Sequence, residues 1–198
     1  MRNSNLKFYN FSQPLELPPS LFSCKSLKTL IVQGEIILNC PSSVHLPNLL
    51  LLSLIRIKYT NDESSLRLLT GSPRLHKLAV CRNSPDNMIT LNFSHPNLNM
   101  FLIKSRIQDP RFKLQINAPS LKWLFFRDRY WQDYLIHNTT NIVKANINGL
   151  FDHENYSHNI LKLLRALPNV QSLILQYIKV HSFLFDLYLT IIPIILIW

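Results

Sequence analysis

The side chains able to do chemistry are seven histidines, three cysteines and eleven carboxylates. None of them has the spacing a reactive site needs. The histidines at 45, 76, 95, 137, 153, 158 and 181 form no H-x-x-x-H or H-E-x-x-H pair, so no helix turn aims two imidazoles at one metal ion. His153 and His158, with Asp152 and Glu154, come nearest to a cluster, and that run reads as a loop before a helix. Cys24, Cys40 and Cys81 are odd in number and far apart, which fits reduced thiols rather than a zinc or redox site. There is no G-x-S-x-G elbow and no phosphate-binding loop, and the only glycines are Gly34, Gly71 and Gly149. The expectation is a chain with no catalytic residues, no metal and no cofactor, hence no enzyme.

Binding is the chemistry left. The net charge is +10, and the densest basic region holds Arg106, Arg111, Lys113, Lys122, Arg127 and Arg129. A nucleic-acid site gathers its cations on one surface. These are spread along the chain with acids among them, so a solvated basic face is the plainer reading. Nucleic acid stays as an alternative partner only. A second set is more specific. Met100, Leu102 and Lys104 alternate in one apolar stretch, and Trp123, Phe125 and Arg127 alternate in another. If both sets point outward they form an apolar patch with a basic edge, the composition of a protein-docking surface.

Whether they point outward depends on the elements carrying them. Pro119-Ser120-Leu121-Lys122-Trp123-Leu124-Phe125-Phe126 has the form Pro-x-Φ-x-x-Φ-x-Φ, with Φ a bulky apolar residue. The same form begins at Pro47, Pro73, Pro96 and Pro168, and copies without the proline centre on Leu30 and Ala145. The first Φ falls at Leu27, Leu49, Leu75, Leu98, Leu121, Ile142 and Val170, at intervals of 21 to 28 residues. That period and core are the signature of leucine-rich repeats. In Φ-x-Φ both apolar side chains lie on one strand face, while the residues between them face the other way. A single unit cannot bury its apolar side alone, so units stack.

The expected fold is an α/β leucine-rich-repeat solenoid, a right-handed superhelix of about seven repeats. A parallel concave sheet is expected, with short strands and helices mixed on the convex side. Convex strands are expected at Ile36–Leu38 and wherever Ile89, Leu91 and Phe93, or Phe112, Leu114 and Ile116, alternate. Helices are expected at 62–69, capped by Asn61 or Asp62, and at 158–167, where the intervals lengthen to 26 and 28 residues. Residues 1–13 read as an irregular lead-in, 14–180 as the repeat domain and 181–198 as an apolar tail.

The repeats resemble those of plant F-box/LRR proteins, many of which end in an FBD domain. Leu17-Pro18-Pro19-Ser20-Leu21-Phe22-Ser23-Cys24-Lys25-Ser26-Leu27 looks like the family's LP-x-SLF-x-CKSL opening. The segment from Asp62 to Leu75 is similar to its DExSLxxLLSGCPxL stretch, and Ile116 to Leu124 to INAPSLKYL. The resemblance implies a protein-interaction module like the substrate-recognition region of an F-box ubiquitin-ligase adaptor. No F-box precedes the first match and no FBD region follows the last, so a truncated member is expected, one that holds no Skp-type adaptor itself. An unknown protein on the concave face is the expected partner.

The N-terminus lacks the apolar core of an export signal, and the expected location is the cytoplasm or nucleus. Phe183 to Trp198 is almost wholly apolar but carries Asp186 and Pro193. It reads as a membrane anchor, a buried last element, or sequence foreign to the repeats. Association with a membrane through 183–198 is the second alternative.

Overall fold

A computed structural model describes residues 4–9, 14–83, 87–107, 111–128, 133–149 and 162–176. The strands are β1 (Ser4–Tyr9), β2 (Leu15–Glu16), β3 (Leu27–Gln33), β4 (Ile36–Leu38), β5 (Leu51–Ile55), β6 (Lys58–Tyr59) and β7 (Lys77–Arg82). They continue with β8 (Thr90–Ser94), β9 (Met100–Ser105), β10 (Lys113–Asn117), β11 (Trp123–Arg127), β12 (Asp133–His137), β13 (Lys144–Asn148) and β14 (Ser172–Gln176). One sheet of eight strands runs β1-β3-β5-β7-β9-β11-β13-β14, every pair parallel. Two sheets of three parallel strands, β2-β4-β6 and β8-β10-β12, back it. The helix α1 (Asp62–Thr70) fills the gap between them, packing on β6 and β8. The chain is a leucine-rich-repeat solenoid.

Each repeat is set by its turn. The amide of the first Φ donates to the carbonyl three residues earlier, as in Leu49 to Leu46 at 3.1 Å, Leu75 to Ser72 at 3.0 Å and Leu121 to Ala118 at 3.0 Å. The prolines 47, 73, 96, 119 and 168 therefore occupy the second position of a β-turn, where a fixed φ helps and no N–H is needed. The residue just before the first Φ carries, in four repeats, a feature not anticipated from sequence. Asn48, Asn97, Asn141 and Asn169 each donate Nδ2 to a carbonyl of the preceding repeat: Lys25, Pro73, Pro119 and Thr140, at 2.7 to 3.0 Å. Turn is thereby tied to turn along the solenoid.

Behind the turns the Φ residues stack in rungs. Leu30, Leu52, Leu78, Phe101, Leu124 and Ala145 are register partners in succession and all are buried. Val32, Leu54, Val80, Ile103, Phe126 and Ile147 form the next buried rung. A slip of one residue would turn a whole strand inside out, so this burial pins the register. At β14 the equivalent residues, Leu173 and Leu175, are only half-buried.

One boundary needs correction, and one choice left open is decided. Residues 4–9, expected to be part of an irregular lead-in, are strand β1, with Leu6 opposite Leu30 and Phe8 opposite Val32. Leu6-Lys7-Phe8 is a Φ-x-Φ core whose third apolar position, three residues before Leu6, is Asn3. The helix N-cap is Asn61, whose side chain accepts from the Ser64 amide at 2.9 Å. Asp62 instead takes the amides of Ile89 and Thr90 at 2.7 and 3.0 Å, joining α1 to the start of β8. Of the second expected helix, residues 162–165 are helical and 158–161 lie outside the described residues. The apolar segment 181–198 also lies outside them. Among the described residues no helix is long and apolar enough to cross a membrane.

Candidate protein-binding face

On the eight-stranded sheet, the residues between the buried rungs form three outward rows. The first runs Thr29, Leu51, Lys77, Met100, Trp123, Lys144, Ser172. The second runs Lys7, Ile31, Ser53, Ala79, Leu102, Phe125, Asn146, Ile174. The third runs Tyr9, Gln33, Ile55, Cys81, Lys104, Arg127, Asn148, Gln176. Most are exposed or half-buried, while Ser53 and Asn148 are buried between their neighbours.

The six residues singled out from sequence come together as one block on adjacent strands. Trp123 pairs in register with Met100, Phe125 with Leu102, and Arg127 with Lys104. Trp123 is 46% exposed, a large fraction for an indole in the middle of a sheet. The other five are half-buried, as expected of side chains standing shoulder to shoulder on parallel strands. A neighbour outside the six joins them: the Lys144 ammonium lies 4.8 Å from the Trp123 ring centroid, a cation–π contact. Beyond Arg127, the Asn148 Nδ2 donates to Gln176 Oε1 at 2.8 Å and closes that end of the third row.

The basic region from Arg106 to Arg129 is not one patch. Lys113 lies on β10 of a three-stranded sheet, whereas Arg127 lies on the eight-stranded one. Arg129 and the cluster around His153 and His158 fall outside the described residues. Among the described residues, no three His, Cys, Asp or Glu side chains are placed to hold a metal. Two of the thiols are shifted away from reactivity: burial pushes Cys40 up to about 12, and burial raises Cys81 against the opposing pull of Lys104. Tyr134 is raised likewise by burial. A nucleophile needs the opposite shift.

Residues 3–148 match the family described as FBD-associated F-box protein At5g56370, LRR repeats. The chain belongs to this family. Similar proteins include the Arabidopsis thaliana F-box/LRR-repeat protein At1g55660, 36% identical over 63% of this chain and 34% of the relative. Another, the F-box/FBD/LRR-repeat protein At4g26340 of the same plant, is 31% identical over 85% of this chain and 39% of the relative. The chain spans about a third of the length of the curated relatives it matches. No solved structure matches it. The FBD-associated repeats thus include β1 through β13, and with them the whole six-residue block. Leucine-rich-repeat solenoids of this kind typically serve as protein-interaction modules.

Proposed function

We propose that this chain is the target-recognition part of an F-box-type adaptor. A protein docks on the outward face of the eight-stranded sheet, centred on Met100, Leu102, Lys104, Trp123, Phe125 and Arg127. In the longer relatives, whose names join an F-box to the repeats, the same face would offer its cargo for ubiquitination. The observation that carries the reading is Trp123, an exposed indole held in register between Met100 and Lys144. Nothing in the sheet's own packing requires an aromatic there, and aromatics with arginines are over-represented among residues that dominate binding energy. The test is capture of proteins from a plant extract by the wild-type chain and by a Trp123→Ala/Arg127→Ala variant with unchanged circular dichroism. A loss of more than about tenfold supports docking here. Equal capture by the folded variant sinks it.

A further inference from the structure

The outward face of the eight-stranded sheet carries a one-sided charge. Its cations are Lys7, Lys77, Lys104, Arg127 and Lys144, and every one holds an outward register position. Its acids are none. The carboxylates among the described residues are Glu16, Glu35, Asp62, Glu63, Asp128 and Asp133, and no outward position of the sheet holds any of them. The ion pairs Lys58 to Glu35, at 2.9 Å, and Arg67 to Glu63, at 2.6 Å, lie away from this face. Asp128 directly follows Arg127 but turns inward and is buried.

The arrangement around the apolar block is specific. Lys104 and Arg127 are direct register partners, so two like charges stand on neighbouring strands. Lys77 flanks Met100 on one side of the block, and Lys144 flanks Trp123 on the other. Among the described residues none of these four has a carboxylate within ion-pairing distance. Like charges side by side are mutually unfavourable, and among the described residues no carboxylate pairs with them. The apolar residues at the centre decide what kind of partner fits. Met100 and Leu102 offer aliphatic surface, which a sugar–phosphate backbone does not fill, while a hydrophobic side chain of a peptide does.

We infer that the partner of this face is an acidic peptide segment with an apolar anchor. The anchor sits on Met100, Leu102, Trp123 and Phe125, and flanking Asp or Glu residues pair with Lys77, Lys104, Arg127 and Lys144. The inference rests on the docking face proposed above and adds the chemistry of what docks. From Lys77 to Lys144 the block crosses three inter-strand steps of about 4.8 Å, a distance that four or five extended residues cover.

The test is selection of a displayed library of random peptides about a dozen residues long against the full chain. Enriched peptides are then resynthesised with Asp and Glu changed to Asn and Gln, and their affinity is measured for wild type and for Trp123→Ala. Acidic peptides carrying a large apolar residue are expected to enrich. Their amide versions should bind about tenfold more weakly, and added salt should weaken the acidic versions only. Neutral or basic peptides that still depend on Trp123 would overturn the acidic partner while leaving the docking face standing. No enrichment, or enrichment indifferent to Trp123→Ala, would overturn both. Tighter binding of single-stranded DNA that displaces the peptides would also overturn the inference, in favour of a polyanion.

Discussion

The Lys144 ammonium sits 4.8 Å from the centroid of the Trp123 ring, one strand away in the same outward row. Strand alternation turns the indole outward, and the contact braces it against its neighbour on the sheet surface. Its energy belongs to an exposed cation–π pair, about 0.5–1 kcal/mol. Trp123→Ala should therefore cost the fold about that much in urea denaturation while abolishing docking. A loss of several kcal/mol would mean that Trp123 belongs to the core and not to a surface kept for a partner.

The asparagine ties between turns give a second prediction. Asn97 donates Nδ2 to the Pro73 carbonyl at 3.0 Å, bridging two repeats. Asn97→Ala should cost about 1 kcal/mol, the net worth of one hydrogen bond. Asn97→Asp should cost more, because it replaces a donor by an anion beside a carbonyl oxygen. Chemical denaturation of the two variants gives the order, and equal losses would refute the donor role.

Gly71 closes α1 with an ordinary helical φ of −73°, so its need for glycine is steric. A Cβ there would lie 2.5 Å from the Val44 carbonyl oxygen and 2.6 Å from Val44 Cγ1. Gly71→Ala should destabilise by about 1–3 kcal/mol through overpacking. Adding Val44→Ala should recover only part of the loss, since the backbone oxygen remains. Full recovery in the denaturation curve would show that the side chain alone sets the limit.

Cys40 is buried beside α1, where burial lifts its thiol from 9.0 to about 12. At pH 9 it should resist iodoacetamide in the native chain and react after denaturation, read by mass spectrometry. The linkage has a definite sign. The folded chain holds this proton more tightly than the unfolded chain, so the thiol's contribution is complete below pH 9.0 and is lost as pH rises towards about 12. A Cys40→Ala variant should lose less stability across that window than wild type.

The sequence made the solenoid legible because the apolar rungs recur with fixed phase, and phase is what decides which side chain is inside. The same phase placed Trp123, Phe125 and Arg127 outward and brought them level with Met100, Leu102 and Lys104. Strand β1 was hidden because only two of its three apolar positions are filled, so no full motif marks it. The Asn48, Asn97, Asn141 and Asn169 ties were hidden for another reason. Their position is occupied by Arg74 and Ser120 in other repeats, and a donor reaching across a repeat leaves no periodic apolar trace. The dual role at α1 was hidden too, since Asn61 and Asp62 are equally good caps on paper and only the nearby amides of Ile89 and Thr90 claim Asp62.

Docking on the outward face of the eight-stranded sheet, and not on the sheets behind it, is open to a direct measurement. A photoreactive residue introduced at Leu102, on that face, and separately at Gln115, on β10 of the opposite sheet, tests it directly. Partners retained by the chain should cross-link from position 102 and not from position 115. Cross-links from 115 with none from 102 would place the binding surface on the other side of the solenoid and contradict the account.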